Sequence, residues 1–110
     1  RRYKVPKNLK RVKQQYYWFR WRFAQEVVLF RVGHFFEFYH SADKAIAELL
    51  KLKPMRANRR QVHYGFPARR FDYYLAQILK VYRLICVIDQ QYSYGGALAY
   101  RSPCRYIVAS

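Results

Sequence analysis

Phe35 and Glu37 stand two positions apart in the stretch Val28 to Phe38, VLFRVGHFFEF, just past the glycine at position 33. A phenylalanine can stack on a nucleobase, and a carboxylate beside it can accept a hydrogen bond from the base it meets. Gly33 permits a tight exit from the apolar strand before it, which would aim the ring outward. The rest of the chain supplies a reason to expect such a ligand. It carries 22 Lys plus Arg against 6 Asp plus Glu, a formal charge of +16. A small fold so charged repels itself, and a bound polyanion relieves that repulsion. Lys10, Arg11, Lys13, Arg20, Arg22, Arg59, Arg60, Arg69 and Arg70 are the candidate phosphate contacts. DNA-binding, tRNA-binding and ribosomal modules all fit this composition.

Other chemistries find less support. Cys86 and Cys104 have no further ligands at zinc spacing, and Cys86, inside LICVI, reads as a buried small side chain. His34, His40 and His63 have no serine or cysteine nucleophile and no carboxylate orienter placed beside them by sequence, so they read as surface or packing residues. Glu37 and Asp43 make a weak metal pair. The expectation is a non-enzymatic protein with no metal and no cofactor. Nothing resembles a secretory signal, and no apolar run approaches membrane-span length, so the reading is soluble, cytoplasmic and without a membrane partner.

These residues need a scaffold, and 110 residues suffice for one domain with one modest core. An apolar fraction of 53%, with 12 Tyr and 8 Phe, excludes a disordered basic tail. Residues 1–8, RRYKVPKN, read as a basic arm ahead of a domain over 9–110. Asn8 can cap a helix from Leu9 to about Phe23, with Leu9, Val12, Tyr16, Phe19 and Phe23 facing the core and the cations on the flanks and outer face. Glu26 to Val32 reads as a buried strand. Ser41 caps a second helix to about Lys53, ended by Pro54. A loop, MRANRRQ, precedes a short strand from Val62 to Phe66. A third helix runs from about Arg69 to Tyr82, and a central strand from Arg83 to Asp89. Gly95-Gly96 marks a turn before a final strand, Arg105 to Ala109. The order describes an α/β sandwich: a single small domain with a mixed sheet flanked by about three helices.

Gln14-Gln15-Tyr16, VVLFRVGHFFEFY (27–39), ADKAIAELLKL (42–52) and YGFPARRFDYYLAQILKVYRLICVIDQ (64–90) resemble, in order, the N-terminal mismatch-recognition domain of the MutS DNA repair proteins. The resemblance covers residues 14 to 90 and is carried by the order and spacing of the segments. It implies that Phe35 stacks on a mispaired base from the minor groove and that Glu37 hydrogen-bonds to it.

Several departures qualify what the resemblance implies. His34 stands where the family has Asp, Pro67-Ala68-Arg69-Arg70 replaces a segment with a histidine, and the stretch before Val62 is shorter. His34 and the arginines favour phosphate. The chain holds no GxxxxGK[ST] phosphate-binding loop, so a complete repair sensor is excluded and a free-standing recognition module is expected. Small basic proteins resembling this domain accompany the reverse transcriptases of diversity-generating retroelements. The resemblance therefore implies an accessory module that binds structured RNA or a template-primer duplex, with a reverse transcriptase as protein partner. A mismatch- or distorted-duplex DNA-binding module related to mismatch repair and a structural protein of a ribonucleoprotein such as the ribosome are the alternatives.

Overall fold

A computed structural model describes residues 9, 11–55, 63–91 and 100–109. The expected basic arm, the Asn8 cap, Lys10, Arg59, Arg60, Val62 and the Gly95-Gly96 turn lie outside the described residues. The elements are α1 (Val12–Arg22), β1 (Val27–Val32), β2 (Phe35–Phe38), α2 (Lys44–Leu49), β3 (Pro54–Met55), β4 (His63–Pro67), α3 (Phe71–Leu79), β5 (Leu84–Gln91) and β6 (Tyr100–Val108). Short 3-10 turns at Ser41–Asp43 and Ala68–Arg70 lead into α2 and α3.

The strands form one mixed six-stranded sheet in the order β3-β4-β2-β1-β5-β6. β1 and β5 pair in parallel at its centre, and the remaining neighbours are antiparallel. Both central strands are apolar without alternation because both of their faces are covered. Val27, Leu29, Ile85 and Val87 join Phe36, Phe38 and Phe66 beneath α2 and α3. Val28, Phe30, Cys86 and Ile88 pack instead under Tyr16 and Phe19 on α1 and Phe23 just past its end. The expected α/β sandwich is therefore the observed fold.

Each residue of the Gln-Gln-Tyr segment has a separate structural task. Gln14 Oε1 accepts the Arg11 backbone N–H at 3.2 Å, satisfying a donor at the start of α1. Gln15, 1% exposed, donates from Nε2 to the Leu9 carbonyl at 3.1 Å. Tyr16 is fully buried; its hydroxyl donates to Asp43 Oδ2 and accepts the His40 N–H at 3.3 Å. Arg20 Nε lies 3.9 Å from the other Asp43 oxygen. One polar knot thus fastens α1 to the entrance of α2.

The helices start later than expected: α1 at Val12 with Arg11 rather than Asn8 as its N-cap, α2 at Lys44 with Asp43 rather than Ser41 as its N-cap, and α3 at Phe71, ending at Leu79 rather than Tyr82. Four further boundaries differ from the sequence expectation. Val32 is followed at once by a second strand, because Gly33 and His34 make a two-residue hairpin turn, with Gly33 at φ +60° in the first central position. Met55, expected in a loop, pairs with His63 in β3 and β4. The final strand is longer than expected, starting at Tyr100, and its register shifts between Val87 and Ile88, where Arg105 and Pro103 are successive partners. That shift accommodates a proline in an edge strand.

The fourth difference is at α2, which ends at Leu49 rather than near Lys53. Lys51 adopts φ +55°, Lys51 N–H bonds to the Glu48 carbonyl, and Leu52 N–H bonds back to the Ala47 carbonyl. This is the paired hydrogen-bond pattern of a Schellman termination, at a position where glycine avoids the Cβ strain that lysine bears. Pro54 is not the terminator; it already belongs to β3. Lys51→Gly is expected to stabilise the fold by about 0.5–1 kcal/mol, read as a raised midpoint in thermal unfolding.

Candidate nucleic-acid interface

The β1–β2 hairpin projects Phe35 from the end of the sheet, and three bonds from three directions hold its tip. Gly33 N–H donates to Gln90 Oε1 on β5 at 3.0 Å. The Gly33 carbonyl accepts Arg31 Nε at 2.8 Å, and the His34 carbonyl accepts Ala68 N–H at 2.8 Å. Phe35, paired with Val32 and Pro67, remains 38% exposed. An aromatic ring on a braced turn can present itself to a ligand without first paying to be ordered.

Phe35 lines an open cleft of about 500 Å³ with Arg31, His34, Pro67, Ala68 and Arg69. His34, Phe35 and Arg69 are expected site residues that the structure brings together. Arg31 was missed by sequence reasoning, although a lone cation in an apolar strand next to glycine was the available signal. Its guanidinium also lies 3.8 Å from Asp89 and 5.8 Å from the Phe36 ring centre, so it braces the turn while lending charge to the cleft.

Glu37 is placed differently from its partner in the motif. It lies opposite Phe30 and Gly65, is only 8% exposed, and accepts the Tyr39 hydroxyl. His63 Nε2 is 3.7 Å away, and the His63 ring stacks on Tyr39 with 4.9 Å between centroids. A Cβ at Gly65 would meet the Phe36 carbonyl at 2.9 Å and the Met55 sulfur at 2.7 Å, so glycine allows this close approach of β4 to β2. The two motif residues therefore part company: Phe35 lines the cleft, and Glu37 is held within the β2–β4 side of the fold.

The expected cations divide as well. Arg69 and Arg70 are exposed on the turn into α3, and the Arg70 guanidinium stands 4.6 Å from the Tyr73 ring centre. On α1, Arg11 is exposed, Lys13 Nζ lies 5.8 Å from the Tyr39 ring centre, and the Arg22 guanidinium stacks 3.7 Å from the Trp18 ring centre. None of these α1 cations lines the cleft. Arg20 corrects the expectation of a surface cation. Its side chain is 12% exposed, and it donates to the Glu26 carbonyl at 2.8 Å and the Ala24 carbonyl at 3.0 Å while facing Asp43. Those bonds satisfy the turn between α1 and β1, so Arg20 is a structural residue.

Among the described residues, no three His, Cys, Asp or Glu side chains converge as metal ligands, and no helix is long and apolar enough to cross a membrane. Glu37 and Asp43 are engaged separately, the first by Tyr39 and the second by Tyr16 and Arg20.

MutS domain I matches the chain over residues 10–105. The chain belongs to the MutS domain I family. No curated protein matches it. Membership makes nucleic acid, with DNA in the first place, the partner class of this fold, and mismatch-recognition-like binding its function class.

Proposed function

We propose that the chain is a non-catalytic module that binds locally distorted duplex nucleic acid, with Phe35 entering the distortion as an aromatic wedge. The observation that carries this reading is the exposed Phe35 ring on a turn braced by Gln90, Arg31 and Ala68, beside Arg31, His34 and Arg69. An inserted ring offsets part of the cost of unstacking a base step, a cost that is least where the duplex is already bulged or mispaired. The cations hold the flanking phosphates and set register without reading sequence. In this reading Glu37 supports the fold and does not hydrogen-bond to the base.

The test is a comparison of bulged, mismatched and perfect duplexes by fluorescence anisotropy across a salt series. Tighter binding to the distorted forms is expected, with log affinity falling against log salt at a slope of about −5 if about six phosphates are neutralised. Equal binding of all three forms would overturn the wedge.

The finer reading places this module beside a reverse transcriptase of a diversity-generating retroelement, gripping template RNA paired to its primer. Supporting it is the +16 charge, an excess that one wedge and a few phosphates do not use up. Copurification with a reverse transcriptase and its RNA is the expected result; comigration with ribosomal particles would favour the structural ribonucleoprotein reading instead.

A further inference from the structure

On α1, Lys13, Tyr17 and Trp21 recur every four residues and so share one face of the helix. Trp21 is 72% exposed, an unusual position for the largest apolar side chain. The His40 ring lies beside this row, 5.8 Å from the Tyr17 ring and 6.4 Å from Trp21 by centroids, edge to face with both. The Tyr17 hydroxyl reaches the Tyr39 carbonyl at 3.5 Å, so helix and strand exit form one continuous surface.

The charge on this face is of one sign. No acidic residue occurs between Leu9 and Phe23. The acids that approach from the elements beneath are taken up inside the protein: Asp43, 3% exposed, by Tyr16 and Arg20, and Glu37 by Tyr39 and His63. What reaches solvent is a row of rings beside Lys13, whose ammonium lies 5.8 Å from the Tyr39 ring centre. Rings for base stacking beside cations for the backbone are the parts of a single-strand binding surface, which tolerates any sequence because every base has a π-face.

We propose that this face of α1, with Tyr39 and His40, is a second nucleic-acid site, a track on which a single strand lies with a base stacked on Trp21 and a phosphate near Lys13. The track shares with the Phe35 reading only the chemical class of its partner, since neither site uses the other's residues. A module with both sites would hold a duplex at its distortion and the unpaired strand leaving it.

The experiment measures binding of oligo(dT) and oligo(U), each about 15 nucleotides long, to the whole chain by anisotropy and by tryptophan quenching. Trp21→Ala is expected to weaken binding about tenfold, the loss of one base stack, with the salt slope unchanged because no charge is removed. Trp21→Phe should recover most of the loss, and Lys13→Gln should lower the slope by about 0.7, the share of one phosphate on a single strand. Trp21 dependence with either oligomer supports the track and tells whether DNA or RNA occupies it. Unchanged affinity of Trp21→Ala for both oligomers overturns it, including the case in which Trp21 serves a protein partner. Phe35→Ala should leave single-strand binding intact, so loss of the wedge and loss of the track are separable results. The exposure of Trp21 makes its substitution safe for the fold, which circular dichroism checks.

Discussion

Phe35→Ala is expected to abolish the preference for bulged over perfect duplex, a loss of about tenfold to about a hundredfold in affinity for the bulged form. One base stacked on an aromatic side chain is worth about 1–3 kcal/mol, and alanine offers no such surface. Affinity for perfect duplex should scarcely change, because there the phosphate contacts of Arg31, Arg69 and the other cations carry the binding. The salt slope should be the same in both proteins, since the substitution removes no charge. Glu37→Gln is the informative companion. Its carboxylate is 8% exposed and engaged by Tyr39, so the preference should survive while resistance to urea falls. If Glu37→Gln lost the preference as fully as Phe35→Ala, the carboxylate would be a reading group and the inward assignment would fail.

Tyr16→Phe is expected to lower stability by about 1.5–3 kcal/mol, the range for losing a hydrogen bond to a charged group. The change removes one oxygen but leaves the Asp43 carboxylate 3% exposed, with the Arg20 guanidinium at 3.9 Å as its remaining charged neighbour. For a domain of this size such a loss is a large fraction of the total, of order 5–15 kcal/mol. A lowered urea midpoint at an unchanged slope would report it. The same pair predicts the response to alkali. Burial first, and then the adjacent Asp43 charge, push the Tyr16 phenol upward from its ordinary value of 10.0. A group whose folded-state pKa is raised contributes stability that is complete below the unfolded value and is lost as pH climbs beyond it. Unfolding should therefore set in above about pH 10, with ultraviolet absorbance showing a phenolate that forms together with unfolding. In Tyr16→Phe the alkaline fall should be shallower.

The sequence made the central layers legible because burial writes a strong pattern. The apolar runs that became β1 and β5, the Tyr16–Phe19–Phe23 stripe of α1 and the Ile78 stripe of α3 all lie in the two cores. β2 was hidden because FFEF shows no polar alternation: Phe36 and Phe38 turn into one core, while Phe35 and Glu37 share the other side. The end of α2 was hidden because a lysine occupies the left-handed position where glycine would have announced it. At the site, the motif was visible as a pair, but residue types alone do not say which member stays outside. That depends on Tyr39 and His63 reaching Glu37, the latter from a separate strand. Arg20 misled for a similar reason: a guanidinium looks the same in sequence whether it meets phosphate or folds back on two carbonyls of its own turn.

The parallel seam between β1 and β5 also governs when the wedge comes into being. Its register joins Val27 to Ile85, residues far apart in the chain, whereas the β1–β2 hairpin is a local pairing across a two-residue turn. Closing the distant pair carries the larger loop entropy, so the hairpin can assemble early and the seam late. The Gln90 bond to Gly33 crosses from β5 to the hairpin tip and exists only once the seam has closed. A chain whose seam is still open therefore has a hairpin that lacks the Gln90 brace on its tip. Nascent molecules, for all their positive charge, would meet nucleic acid as loose electrostatic binders and acquire discrimination in the last step of folding.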